Sequence, residues 1–507
     1  MHHRLLLTVA GIVSKGAVLL SAILIFCSPA SAAPRNPKIL SHRTDRTVFV
    51  HLFEWKWKDV ALECENFLGP RGFGAVQVSP ANEHAVLPGF PWYQRYQPVS
   101  YQLTSRSGTR EEFIDMVRRC KAVGVDIYAD AVINHMAWVN RSGSTLYGSA
   151  GSPYDEYHHP GLFQSWDFNR CGRNRDDSIS NYQDRWEVQN CNLATCADLK
   201  TGSEYVRGKI ADYLNDLLSI GVSGFRIDAA KHIAAQDLQA IFSRLNRYFY
   251  PFQEVIDLGG EPIRSDEYFP TGDVTDFRYS RELARAFNGG RLAWLERFGP
   301  EWGFLPNQKA IVFVDNHDIQ RGHGAGGEVL THKDAQKYVL ANVFMLAWPY
   351  GYTQVMSSYK FRNTDQGPPS NSRGETSPVY VNGAVRCGQE WVCEHRWQPV
   401  AGMVGFRNFT QTTPYVSRWW TNGMNQIAFA RGNRGYTVIN YELKPLRRFF
   451  DTGLPAGTYC DVISGEANRA KSSCSGTRIV VDRSGWAEIN VAPLSAVAIH
   501  GGAALLN

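Results

Sequence analysis

The sequence has no long run of one charge. Lys and Arg total 53 and Asp and Glu 48 across 507 residues, a formal net charge of +5. Without a basic stripe, charge does not point to a nucleic-acid partner. Beyond the first 32 residues no apolar run approaches the about 18 residues that span a bilayer. No CxxC pair occurs, which argues against a zinc site. There is no internal repeat and no low-complexity tract. Hydrophobic residues make up 44% and charged residues 20%, a balance that argues against disorder, collagen or a polytopic membrane protein. The length suits two or three domains and a large core that needs no staples.

Residues 1–32 read as a secretory signal. Arg4 charges the n-region, Leu5–Val13 and Ala17–Cys27 are apolar, and Ala30-Ser31-Ala32 is a small-residue cleavage site. The expected product is secreted and extracellular, with no membrane attachment once the signal is removed. Lys15 makes this segment a poor anchor. Export makes the cysteines disulfide candidates. Of ten, Cys27 leaves with the signal, and nine remain. An odd number leaves one free or paired between chains. Asn140-Arg-Ser and Asn408-Phe-Thr are glycosylation sequons.

Short apolar runs alternate with helical periodicity. Strands are expected at Val48–Phe53, Ala75–Val78, Val125–Ile133, Gly224–Asp228, Phe252–Ile256, Val274–Tyr279, Ile311–Asp315 and Thr353–Met356. Helices are expected at Glu111–Val123, where Phe113, Met116, Val117 and Cys120 share a face, at Glu204–Ile220, and from about Gln236 to Tyr248. Buried strands alternating with helices indicate parallel βα units, and about eight of them suit a (β/α)8 barrel. Residues 134–199 break the alternation and are rich in Gly, Ser, Asn and Asp. Structureless loops this long are usually functional, so this segment reads as an inserted irregular domain. From 413 to 507 short strands separated by turns form a small antiparallel β domain. The expected division is 1–32 signal, 33–133 and 200–412 barrel, 134–199 insertion, and 413–507 C-terminal β-sandwich domain.

Four strand ends carry acids. Val125–Asp130 runs into Asn134-His135, Gly224-Phe-Arg226-Ile-Asp228 into Lys231-His232, Phe252-Gln leads to Glu254, and Ile311–Asp315 runs into Asn316-His317-Asp318. In a (β/α)8 barrel these ends converge on one face, where active sites lie. A single strand-end Asp is usually a helix cap or turn residue; four, with His and Arg beside them, are not explained that way. Carboxyl groups sharing a pocket divide into ionised and protonated members, the division glycoside cleavage requires. Spacing alone does not say which acid does which job.

Asp130-Ala-Val-Ile-Asn-His135, Gly224-Phe-Arg-Ile-Asp-Ala-Ala-Lys-His232, Glu254-Val-Ile and Phe313-Val-Asp-Asn-His-Asp318 resemble, in order, the four signature segments of the α-amylases. The resemblance is closest to the animal-type, chloride-dependent branch of these retaining glycoside hydrolases. Pro91-Trp-Tyr-Gln-Arg-Tyr-Gln-Pro98, Gly322-His-Gly-Ala-Gly-Gly327, Trp391–Trp397 and Leu454–Asp461 extend it over essentially the whole chain after the signal. It implies Asp228 as nucleophile, Glu254 as general acid and base, and Asp318 as the third carboxylate. It implies sugar contacts from Trp92, Tyr93, Tyr96, Gln97, His135, Tyr182, Arg226, Lys231, His232, His317 and His323. Tyr93 stands where the family has a second Trp, which leaves less stacking area. Gly322–Gly327 also fits a dinucleotide fingerprint, but no acidic residue follows at the ribose distance.

The same resemblance implies a structural Ca2+ held by Asn134, Asp198 and the backbone oxygens of Gln189 and His232, a hard-oxygen set suited to that ion. It implies disulfides Cys64–Cys120, Cys171–Cys191, Cys387–Cys393 and Cys460–Cys474, leaving Cys196 odd. A further bridge of vertebrate members has Thr104 at one end here and is absent. The family's Cl- ligands map to Arg226, Asn316 and Gln354. Gln354 is neutral where the family has Arg or Lys, so weak or absent chloride dependence is expected. The implied activity is endo-hydrolysis of α-1,4-glucan in starch and glycogen by a monomer with no nucleic-acid partner. The alternatives are an exo-acting maltase-like relative and a non-catalytic carbohydrate-binding barrel.

Overall fold

The computed structural model describes residues 37–138, 146–324 and 327–506. The segment read as a signal, with Cys27, and the Asn140 sequon lie outside the described residues.

Eight parallel strands close into a barrel: β1 Val48–Leu52, β2 Ala75–Val78, β3 Asp126–Ala131, β4 Gly224–Ile227, β5 Tyr250–Gln253, β6 Asp273–Thr275, β7 Ala310–Val312 and β8 Tyr352–Ser357. Each strand pairs with its neighbours in sequence, and β8 returns to β1. Helices between strands include α1 Arg110–Ala122, α2 Glu204–Ile220, α3 Ala235–Phe242, α4 Phe277–Phe287 and α5 Gln336–Ala347. The strands are buried on both faces, which is why they read as continuous apolar runs.

Several boundaries differ from the sequence reading. The sixth strand stops at Thr275, because Asp276 caps α4 by accepting from the Tyr279 amide at 3.2 Å. Phe277 and Tyr279 extend the apolar pattern into what is helix. Helix α3 ends at Phe242, and the segment read as its last turns is folded back by the Asn246 amide bond to Asn215 at 2.8 Å. The fifth strand ends at Gln253, so Glu254 is the first residue past it.

Strand alternation stacks the barrel interior in layers. Phe49, Tyr128, Tyr250, Phe252 and Tyr352 form a buried aromatic cluster. Gly224 belongs to this level because a Cβ there would lie 2.2 Å from the Tyr250 carbonyl oxygen and 2.9 Å from the Tyr128 ring. Two residues further along the strands comes a polar layer of His51, Gln77, Asp130, Arg226 and Gln354. Two further again, the chain reaches Asp228 beyond β4.

Among the described residues between β3 and α2, regular structure is limited to two-residue strands, the single turn Ser165–Asp167 and the short helix Arg185–Val188. One pair, His135–Met136 with Ala197–Asp198, closes the ends of the segment on each other. After helix α6 (Gln398–Thr410) comes an antiparallel β region. β9 Ser417–Thr421, β10 Gln426–Arg431, β11 Gly435–Asn440 and β16 Ser495–His500 form one sheet; β12 Leu446–Asp451 pairs with β15 Trp486–Val491, and β13 Gly457–Cys460 with β14 Arg478–Val481. Strands β9, β12 and β16 were not legible. Exposed Arg447 and Arg448 interrupt the apolar pattern of β12.

The four disulfides are Cys64–Cys120, Cys171–Cys191, Cys387–Cys393 and Cys460–Cys474, and Cys196 is free and buried. The Asn408 amide nitrogen donates to the Gly72 carbonyl at 2.7 Å, inside α6. That nitrogen is occupied, so this sequon is a poor glycan acceptor. No described helix is long and apolar enough to cross a membrane.

Candidate active site

The acids meet around one guanidinium. Arg226, on β4 and only 3% exposed, donates from Nη1 to Asp130 at 2.6 Å and to Asp228 at 2.9 Å. Its Nη2 lies 2.8 Å from Glu254 Oε1. The other Glu254 oxygen accepts from the Ala229 amide at 2.8 Å. Ala229 has φ +48°, the left-handed region a side-chain-bearing residue rarely adopts, and this turns its N–H toward Glu254. Such outliers cluster where geometry serves a site.

Four carboxyl groups share this pocket, Asp130, Asp228 and Glu254 paired with Arg226 and Asp318 beside His317. Burial raises Asp228 well above the ordinary carboxylate range; Arg226 opposes the rise, and Glu254 and Asp130 add to it. Asp318 is pushed up to about 8 by burial and Glu254, against Arg226 and Arg321. Burial raises Asp130 also, again against Arg226. The group therefore shares protons as a unit. The bond from Arg226 favours the ionised form of Asp228 within that unit.

Aromatic rings wall the acids. The Tyr96 hydroxyl donates to Asp130 at 3.0 Å, and its ring stacks on His317 at 5.0 Å. Trp92 meets Tyr96 edge-on at 5.7 Å and Tyr93 at 6.0 Å. His317 Nε2 is 3.3 Å from Asp318 Oδ2, and burial holds His317 neutral, well below its usual range. His317 Nδ1 and Gln97 Oε1 are buried with no partner. Buried polar atoms are normally satisfied, so both are suited to a ligand's hydroxyls. His135 lies behind Tyr96, its Nε2 2.9 Å from the Tyr96 carbonyl.

Tyr182 is half exposed and meets the His232 ring edge-on at 6.4 Å. Lys231 is committed elsewhere: its Nζ binds Glu261 and the Ile256 carbonyl, each at 2.8 Å. His323 is exposed, its amide donating to the Asp318 carbonyl at 3.0 Å. Asp130 received no role from sequence, nor did its partner Gln77, nor His51, whose Nε2 lies 3.5 Å from Gln77 Nε2. Same-face spacing of Tyr128 and Asp130 was the available signal.

The residues implied for Ca2+ are linked in two pairs, Asn134 with the Asp198 strand and Gln189 with the turn of His232. His135 pairs with Asp198 across the ends of the insertion, and the Leu199 amide donates to the Asn134 carbonyl at 2.9 Å. Gln189 reaches the Lys231 carbonyl at 3.5 Å, and His232 Nδ1 sits 2.9 Å from the Val188 carbonyl. Asp198 is 1% exposed. One of its oxygens accepts from Asn169 at 2.7 Å; the other, Oδ1, is buried without a partner. A buried, orphaned carboxylate oxygen fits a hard cation.

The chloride set fits poorly. Gln354 Nε2 donates to Gln77 Oε1 at 2.8 Å, and Gln77 leans toward Asp130 at 3.4 Å. Asn316 Oδ1 accepts from the Asp318 and Ile319 amides at 3.1 and 2.8 Å. Arg226 already faces three carboxylates.

A parallel eight-stranded barrel with acids, histidines and aromatic rings at the strand ends defines a glycoside hydrolase site. Comparison with known proteins narrows this. Residues 92–257 match the family "Alpha amylase, catalytic domain", and residues 419–502 match "Alpha amylase, C-terminal all-beta domain". The chain is 48% identical to the pancreatic alpha-amylase of Sus scrofa over 482 residues, 89% of this chain and 93% of that one. It is 48% identical to alpha-amylase 1B of Homo sapiens, covering 88% and 92%. The solved structure of wild-type alpha-amylase I from Eisenia fetida superposes with a TM-score of 0.84 at 42% identity, covering 92% of this chain and 99% of that one. A mutant of the Eisenia enzyme has been solved with maltohexaose. The chain belongs to the alpha-amylase family.

Proposed function

We propose that this protein hydrolyses internal α-1,4-glucosidic bonds of starch and glycogen with retention of anomeric configuration. The observation that carries the reading is the pair Asp228 and Glu254 held on neighbouring nitrogens of Arg226. That arrangement suits the roughly 5–5.5 Å carboxyl separation of retaining enzymes better than the wider inverting gap. Asp228 attacks the anomeric carbon while Glu254 protonates the leaving oxygen. Glu254 then takes a proton from a water whose oxygen attacks the anomeric carbon and displaces the Asp228 carboxylate, releasing the sugar. Asp318 and His317 hold sugar hydroxyls, and Trp92, Tyr93, Tyr96 and Tyr182 offer ring faces to glucose units. Incubation with soluble starch should release mixed maltooligosaccharides of α configuration. Glucose alone would indicate an exo-acting relative, and no product a non-catalytic barrel.

Asn134, Asp198 and the carbonyls of Gln189 and His232 would hold a structural Ca2+, which supplies charge to the buried Asp198 and ties the insertion to the turn after Asp228. Chelation should lower melting temperature and activity together, since an ion bound only to the folded state stabilises it by mass action. Unchanged melting after EDTA, with no metal left by elemental analysis, would contradict this site.

Chloride has no step here. With neutral Gln354 bonded to Gln77, the third chloride position carries no cation for an anion to offset. The protein should keep most of its activity in chloride-free buffer. Gln354→Arg should create chloride dependence, because a new cation favours the charged form of the acid until an anion compensates. Wild-type activity that vanishes without chloride and returns with millimolar salt would overturn this.

The chain's division into barrel, 134–199 insertion and C-terminal domain, its secretion and its action as a monomer complete the proposal. The four disulfides support an oxidising compartment.

A further inference from the structure

Arg321 closes the single turn Ile319–Arg321 that follows Asp318, and it is 3% exposed. Among the described residues no carboxylate lies within ion-pair distance of it. Its guanidinium instead faces four rings: Phe361 at 4.4 Å, Phe53 at 5.1 Å, and Trp92 and Tyr359 at 5.2 Å. Nη1 donates to the His317 carbonyl at 2.7 Å, and its own amide donates to the Asp318 carbonyl at 2.9 Å. Nε and Nη2 have no hydrogen-bond partner. A buried cation without an anion is costly, and ring faces recover part of that cost.

The contacts join the peptide of Asp318 to an aromatic ring of the site. The His317 and Asp318 carbonyls fix the peptide that carries the third carboxylate. Trp92 is the ring read as a glucose platform, and it meets His317 edge-on at 5.5 Å. Phe53 stacks on the other face of His317 from Tyr96, at 5.0 Å. One planar cation therefore touches the backbone of the acid and the ring that would seat the sugar.

We propose that Arg321 is a positioning residue for glucan hydrolysis, holding Asp318 and Trp92 at a fixed separation through the His317 carbonyl and the ring cage. This rests on the reading of Asp318 as the third carboxylate. The charge of Arg321 acts on the same group. Asp318 is faced by Glu254 and Asp130, which oppose its ionisation, by Arg226 and Arg321, which favour it, and by neutral His317. Removing the Arg321 charge moves Asp318 ionisation, and with it the acid limb of the activity profile, to higher pH.

The test compares the full-length wild type with Arg321→Met and Arg321→Lys on soluble starch, recording kcat, KM, pH profile and melting temperature. Arg321→Met should lower kcat about 10- to 100-fold, the scale of a small misplacement of reacting groups, with a smaller change in KM and an acid limb at higher pH. Arg321→Lys keeps the charge but loses the planar fork; it should restore the acid limb and only part of kcat. Folded Arg321→Met with wild-type kcat and acid limb would overturn the proposal. Should that variant not fold, Phe361→Leu removes the nearest ring and leaves the charge; reduced kcat with an unmoved limb supports the proposal, and unchanged kcat overturns it. A wild type with no starch turnover would overturn the hydrolase reading as well, whereas turnover indifferent to these changes strikes only the role of Arg321.

Discussion

Replacing Asp228 by Asn should lower kcat on starch by about 10⁴-fold or more, the scale seen when an acting nucleophile is removed. That is a rise of about 5 kcal/mol in the barrier. Asn keeps the shape of Asp and an oxygen that accepts from Arg226 Nη1, now 2.9 Å from Asp228. The barrel should therefore fold as before. The rings of Trp92, Tyr93 and Tyr96 are untouched, so the variant should still bind starch in a gel-retardation or equilibrium assay. Separating turnover from binding is the point of this measurement. Near-normal turnover would remove Asp228 from the nucleophile's place and leave Glu254 or Asp318 to account for the chemistry.

Arg226→Met should abolish activity and also destabilise the fold by about 3–5 kcal/mol at neutral pH, the cost of breaking a buried ion-pair network on one side. Three carboxyl groups would lose their shared partner. The pH dependence distinguishes this from a packing defect. Asp318, raised to about 8, and Asp228, raised well above the ordinary carboxylate range, bind protons more tightly folded than unfolded. A carboxyl raised in the folded state contributes stability that is fully present below its unfolded pKa and lost as pH rises through the folded value. The wild type should thus lose stability from about pH 4 toward about pH 8, with other groups superimposed. Without Arg226 the folded carboxyls rise further, so Arg226→Met should lose more over the same window. Melting temperatures of both proteins across that range give the answer. Parallel curves would show that Arg226 does not govern the titration of the cluster.

The parts of the site legible in sequence are those that local pattern marks. Asp228, Glu254 and Asp318 each follow an apolar run, and in parallel strands such runs end on one face. What was not legible depends on register between distant segments. Asp130 bonds Arg226 from 96 residues away, and only the β3–β4 pairing that sets Asp130 opposite Arg226 makes them neighbours. The Arg321 cage draws its four rings from three separate segments, and a lone Arg after a strand end carries no sign of it. Lys231 looked available beside His232, but its partner Glu261 comes from an irregular loop whose course no periodicity foretells. The Asp276 cap shows the opposite case. Its signal, an Asp before a helical run, was present in the sequence and was outweighed by the aromatic residues that follow.

The link from Gln354 through Gln77 to Asp130 has a direction. Each amide donates inward, at 2.8 Å and then 3.4 Å, so the two dipoles point the same way and end on a carboxylate. Amides neither gain nor lose protons where the acids titrate. At 4% and 1% exposed, these two also do not exchange with the ions of the medium. The floor beneath the acids is thus a fixed, neutral polariser rather than an exchangeable counter-ion. Its influence on Asp130 stays constant whatever salt surrounds the protein, and the part of the site that responds to the surroundings is confined to its rim.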